Sequence, residues 1–191
     1  MIERENAMSS AQAMKFWDRI APKYASDPIK DMASYETTLN KTRGYLEPSD
    51  RVLEIGAGTG STALLLAENC SEIVATDISD KMLEVGRERA ANEKVTNVQF
   101  LQRTAEDMPE GPFDAILGHN ILHLVEDLPS VLAAAHARLK PGGLLISKTF
   151  LKPESGIHLE YRMMKIALPI MQAFGRAPFV GFYTGDQFED M

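Results

Sequence analysis

Cysteine is almost missing from this chain: Cys70 is the only one in 191 residues, so no intrachain disulfide can form and no thiolate cage can hold a metal. A run of about 18 apolar residues occurs nowhere, which excludes a membrane-spanning helix. The start, Met1-Ile2-Glu3-Arg4-Glu5-Asn6, is charged and has no apolar stretch of the secretory kind, so a cytoplasmic protein is expected. Clustered Lys and Arg are missing too. With 20 basic against 27 acidic residues the net charge is −7, which argues against a nucleic-acid partner bound by overall electrostatics. Disorder is not expected, because an apolar fraction of 45% and a charged fraction of 25% are those of an ordinary globular protein.

One further absence is informative. The dinucleotide fingerprint Gly-x-Gly-x-x-Gly needs a glycine at position 61, where this chain has Ser61. What stands there instead is Val52-Leu53-Glu54-Ile55-Gly56-Ala57-Gly58-Thr59-Gly60, an apolar strand pattern ending in Gly-x-Gly-x-Gly, with an acid two residues before the first glycine. Glycines at such a turn let the backbone bend sharply and leave no Cβ between main chain and ligand. Asp77 closes the next apolar run, where a carboxylate can accept hydrogen bonds from ribose hydroxyls. A glycine loop and an acid at neighbouring strand ends describe a nucleotide pocket in two pieces.

The rest of the chain supplies the context. Helices are predicted over Ser10 to Tyr24, behind a Ser9-Ser10 cap signal and disturbed near Pro22, and over Met32 to Tyr45, stopping before Pro48. Strands follow at Arg51 to Ile55, Glu72 to Asp77, Val98 to Gln102, Phe113 to Leu117 and Leu144 to Phe150. Helices are predicted at Ser61 to Asn69, Asp80 to Asn92 and Leu128 to Leu139. Continuous apolar runs such as Ala115-Ile116-Leu117 predict a parallel sheet covered on both faces, a doubly wound, Rossmann-like α/β fold. One domain is expected, with a helical cap over 1–48, a binding core over 49–150 and a helical lid over 151–191.

The glycine loop resembles motif I of the class I S-adenosylmethionine-dependent methyltransferases, and Leu139-Lys140-Pro141-Gly142-Gly143 looks like the element before their fifth strand. The style of the sequence is that of the type 11 and ubiquinone/menaquinone biosynthesis methyltransferases. The resemblance runs from about Phe16 to Phe150 and implies S-adenosyl-L-methionine as cofactor and a small-molecule methyl acceptor. It implies that Gly56 and Gly58 approach the methionyl part, that Asp77 takes the ribose and that Met82 packs on the adenine. It also places Glu54, Ile78 and Asn120 at the cofactor. Gln102 to Pro109 is similar to the adenine-reading loop, with Thr104 where an Asp is usual, Ala105 offering its N–H, and Glu106 either a partner of the exocyclic amine or a solvated loop acid. The family usually adds an antiparallel hairpin after the fifth strand. None is visible before Met191, so the expectation is five strands, an exposed sheet edge and a homodimer that could cover it.

Gly118-His119-Asn120-Ile121-Leu122-His123 lies where ligands of such sheets bind, and imidazole exchanges protons near neutral pH. His119 and His123 are therefore the candidate general bases. His123 is preferred on the resemblance, and a structural role for it is an equal reading. Leu159, Met163, Ile166, Ala167, Ile170, Met171 and Phe174 form a helical stripe, bent at Pro169, that reads as a lid over an apolar or aromatic acceptor or as core. Phe16, Trp17, Tyr24 and Tyr35 join it as acceptor-site candidates. Two other functions stay open: a nicotinamide-dependent oxidoreductase, which Ser61 disfavours, and a non-catalytic S-adenosylmethionine-binding regulatory module.

Overall fold

A computed structural model describes residues 9–152 and 159–190. Helices α1 (Ser10–Ser26) and α2 (Met32–Arg43) precede a sheet of β1 (Arg51–Ile55), β2 (Glu72–Asp77), β3 (Val98–Gln102), β4 (Phe113–His119) and β5 (Leu139–Lys148). Between the strands run α3 (Ser61–Leu66), α4 (Asp80–Glu93) and α5 (Leu128–Arg138), and α6 (Leu159–Ala173) and α7 (Gly185–Glu189) follow. All four strand pairings are parallel, in the order β3-β2-β1-β4-β5. Strand order reverses between β1 and β4, and a sheet of this kind opens its ligand crevice beyond the carboxyl ends at that point. This is the doubly wound parallel architecture expected from the sequence.

Two apolar clusters flank the sheet, as the alternation of side chains along each strand requires. Val52, Ile73, Ala75, Ala115 and Leu117 face one side with Leu64, Leu66 and Leu83. Leu53, Val74 and Ile116 face the other with Leu128, Val131 and Ala135 of α5. Burying both faces explains why the strands read as unbroken apolar runs rather than as alternating ones.

The first helix runs through Pro22, as expected, and two residues past Tyr24 to Ser26, where the Asp27 N–H reaches the Lys23 carbonyl at 3.0 Å. Tertiary ties at Asp18 and at Ala25, described below, fasten it to its neighbours. Two expectations are corrected. The last strand is Leu139–Lys148, not Leu144 to Phe150; its register jumps from Phe113↔Leu139 to Ala115↔Leu144, so Lys140 to Gly143 bulge out inside the strand. The α6 stripe is neither core nor a cavity wall: Ile166 and Phe174 are 71% and 75% exposed, and Met163 and Ile170 are exposed as well. The side chain of Leu159 lies outside the described residues.

β5 is an edge strand with Leu144 and Leu145 exposed. Among the described residues no helix is long and apolar enough to cross a membrane, and no group of three or more His, Cys, Asp or Glu could hold a metal ion.

Candidate active site

A cavity of about 970 Å³ opens at the carboxyl ends of the strands, roofed by α1 and by the segment leading into α2. This volume is at the upper end for small-molecule sites, roughly 300 to 1,000 Å³. Its floor is the glycine loop between β1 and α3.

The three glycines serve different ends. All are left-handed, with φ of 66°, 55° and 72° at Gly56, Gly58 and Gly60. A Cβ on Gly60 would stand 2.6 Å from Phe100 Cε1, so that glycine admits a β3 aromatic ring beneath the loop rather than a ligand. A Cβ on Gly58 would meet only Tyr24, at 3.9 Å, and Gly58 lines the cavity. Gly58 is therefore the position where backbone is bared toward open space.

Asp77, at the end of β2, is bonded to that same glycine. Its Oδ2 accepts from the Gly58 N–H at 2.8 Å and its Oδ1 from the Ser79 N–H at 2.8 Å. A carboxylate offers about four acceptor sites, so capacity remains for a ligand's donor. Burial pushes the Asp77 carboxyl above its ordinary range, the N–H groups of Ser79, Gly58 and, least, Ile78 pull it back, and Asp18 pushes it up again. Glu54, one strand over, is 2% exposed and lines the same cavity. Burial raises its carboxyl to about 8, against a lowering contact from the Ala63 backbone and a raising one from Asp77. Its Oε2 is buried with no hydrogen-bond partner. A buried acceptor left unpaired beside an open cavity is a place made for a donor, and a cationic donor best of all.

Ile78, Met82, Thr104, Ala105 and Glu106 lie together along one wall, with Met82 2% exposed. The loop carrying Thr104, Ala105 and Glu106 is held by the Arg103 N–H on the Asp77 carbonyl at 3.0 Å and by the Asp107 N–H on Thr104 Oγ1 at 3.2 Å. Thr104 thus braces its own turn. Asn120 follows β4 with φ of 58° and joins the lining; its N–H donates to the Lys148 carbonyl at 2.6 Å.

The two histidines part company at that left-handed residue. His119 lines the cavity as the last residue of β4. Its Nε2 lies 3.5 Å from Thr42 Oγ1, whose own hydrogen goes to the Thr38 carbonyl at 2.9 Å. The threonine oxygen therefore accepts, Nε2 carries the proton of the neutral ring, and Nδ1 is the basic atom. Burial and the nearby Lys148 charge both lower the His119 pKa. His123 is not among the cavity-lining residues. Its Nδ1 lies 3.2 Å from Thr149 Oγ1, its ring leans on Phe150, and burial lowers its pKa.

Several residues around the site, Arg89 and Lys148 of the cavity lining among them, lie outside the candidates read from the sequence. Asp18 of α1 accepts from Ser79 Oγ at 2.6 Å, which ties the roof to the residue capping α4. Arg89 donates to Ser61 Oγ at 2.9 Å and to the Ala25 carbonyl at 3.2 Å, linking the loop-side end of α3 to the end of α1. Lys148 stands beside His119. A charged residue ending an apolar strand at the binding edge was the available signal for Lys148; the α1 ties join residues 61 and 64 apart and leave no local trace. Trp17, Tyr24 and Tyr35 line the cavity as expected, whereas Phe16 packs edge-on against Trp17.

Comparison with known proteins agrees with this geometry. A family model described as a methyltransferase domain matches residues 52–143. A ubiquinone/menaquinone biosynthesis C-methyltransferase, UbiE, of Marinomonas sp. is 39% identical over 110 residues, 54% of this chain and 44% of the relative. A tRNA 5-carboxymethoxyuridine methyltransferase of Escherichia coli is 37% identical over 99 residues, 50% of this chain and 38% of the relative. The chain thus spans about half the length, or less, of these curated relatives. A phosphoethanolamine N-methyltransferase of Haemonchus contortus, solved with S-adenosylhomocysteine, shares the fold with a TM-score of 0.73 at 20% identity, over 93% of this chain and 43% of that one. Over residues 52–143 the chain matches a methyltransferase domain, and its relatives and fold together support a class I S-adenosylmethionine-dependent methyltransferase of the type 11-like kind.

Proposed function

We propose that this chain binds S-adenosylmethionine on the glycine loop and transfers its methyl group to a small acceptor near His119. The observation that carries the reading is the Gly58–Asp77 hydrogen bond, with the unpartnered Glu54 oxygen beside it in the same cavity. These residues fit the cofactor: Asp77 for the ribose hydroxyls, Glu54 for the ammonium group, and Ile78, Met82, Thr104, Ala105 and Glu106 for the adenine. The cofactor, when bound, supplies a sulfonium methyl group for in-line transfer to a nucleophile.

The chain's own contribution is positioning and exclusion of water. Trp17 and Tyr24 roof the cavity, and His119, neutral near pH 7, offers Nδ1 to take a proton from an acceptor hydroxyl or an activated carbon acid. UbiE supports a carbon acceptor by its name, and the available base suits O- or C-methylation alike. The net charge of −7 favours a small molecule over the nucleic acid named for the E. coli relative.

Calorimetry with S-adenosylhomocysteine tests the reading. Binding is expected in the wild type, with Asp77→Asn weaker by about 1.5 to 3 kcal/mol, roughly ten- to a hundredfold. No binding to folded wild-type protein, or NADH bound in its place, refutes it.

A further inference from the structure

At the strand ends themselves the charges of the cavity segregate along the sheet, while Arg89 and Arg103 on one side and Glu126 and Asp127 on the other line it from the neighbouring helices and loops. Glu54 and Asp77 line it from the ends of β1 and β2, whereas His119 and Lys148 line it from the ends of β4 and β5. His119 and Lys148 are direct partners in the parallel ladder, so both come to one level of the binding edge. Adjacent strands lie about 4.8 Å apart, which puts roughly 10 Å of sheet between the Glu54 strand and the Lys148 strand. Among the described residues the Lys148 ammonium meets the Ser34 hydroxyl of α2 at 3.0 Å and no carboxylate within ion-pair distance. A partly buried ammonium bonded to one neutral hydroxyl has donors to spare for an anion.

We propose that Lys148 determines acceptor specificity by holding an anionic oxygen of the acceptor, a carboxylate or an ionised acidic hydroxyl, at the β4–β5 end of the cavity. This deepens the methyl-transfer reading and rests on it: the cation of the donor belongs to the acidic end, and an anionic acceptor belongs to the basic end. The two charges then face each other along the line of transfer, and each is repelled from the other's place. His119, next to Lys148, stays neutral and leaves the anion to the ammonium.

The test uses the full chain saturated with S-adenosylhomocysteine and two matched pairs of probes, benzoate with benzamide and pentafluorophenolate with pentafluoroanisole, followed by calorimetry. Wild type is expected to bind at least one anion about tenfold or more tighter than its neutral counterpart. Lys148→Met should erase that preference, Lys148→Arg should keep most of it, and S-adenosylhomocysteine affinity should stay within about twofold in both. A preference confined to benzoate identifies a carboxylate acceptor, and one confined to the phenolate an ionised hydroxyl. Equal binding within both pairs, a preference that survives in Lys148→Met, or no binding of either anion at about 10 mM overturns the proposal. The separate titration of wild type with S-adenosylhomocysteine distinguishes this failure from failure of the methyl-donor reading itself.

Discussion

Replacing Glu54 by Gln should make the ligand-free protein more stable at neutral pH while weakening cofactor binding, and the size of the first effect follows from the site. The Glu54 carboxyl is 2% exposed, and burial raises it from 4.5 to about 8. In the unfolded chain the group ionises near its ordinary value, while the folded chain keeps its proton up to about pH 8. The folded state thus binds more protons throughout that window, so this group's contribution falls as pH rises through it and levels off above. At about 1.4 kcal/mol per pH unit, neutral pH costs the wild type roughly 3 kcal/mol. A Gln keeps an acceptor for the Ala63 backbone contact but adds amide donors whose burial takes back about 1 to 2 kcal/mol. The net expectation is a variant more stable by about 1 to 2 kcal/mol near pH 7 and less stable near pH 5. Urea unfolding of both proteins at several values between about pH 5 and pH 8 measures the difference directly. A stability difference that does not change with pH across that window refutes the reasoning, because it means that the carboxyl is ionised in the fold. Binding of S-adenosylhomocysteine to the variant should weaken, since the ammonium group loses its charged partner.

Two further contrasts separate packing from chemistry. Gly60→Ala should lower stability by about 2 to 4 kcal/mol through its left-handed φ and the Phe100 ring 2.6 Å from the new Cβ, and thermal melting reads this loss. Gly58→Ala, with only Tyr24 near, should cost about 1 kcal/mol of stability yet weaken S-adenosylhomocysteine binding in calorimetry; a larger melting loss than at Gly60 would contradict this division. His119→Ala should lower turnover of an identified acceptor by about a hundredfold or more, while His123→Ala stays within a few-fold and loses about 1 kcal/mol of stability with its Thr149 contact. Equal loss of turnover in both variants would place both rings in the chemistry.

The sheet was legible because strands buried on both faces must be apolar throughout, and the glycine loop because three left-handed residues in five leave few alternatives to glycine. Asp77 could be read from its strand end. The choice between His119 and His123 could not, since both sit four residues apart after one apolar run, and the turn at Asn120 that carries the second away from the cavity belongs to tertiary structure. The bulge at Lys140 to Gly143 read as a turn before the strand, which is what its composition says when the β4 ladder on either side of it is unseen. The α6 stripe was periodic, but periodicity marks an apolar face without saying what covers it.

The way α1 is attached has a bearing on how ligands come and go. Ala21 is its one fully buried residue, Met14, Trp17 and Ile20 are half-buried, and polar ties such as Asp18–Ser79 and Arg89–Ala25 fasten the helix beside α4. Each tie is worth about 1 kcal/mol, far less than the apolar interior of the sheet. Ser79 goes on accepting from the Met82 N–H whether or not Asp18 is there, so casting off the helix leaves the α4 cap in place. The gangway into the cavity can swing up and down while the hull stays whole, and amide exchange in α1 should outpace that in β1 accordingly.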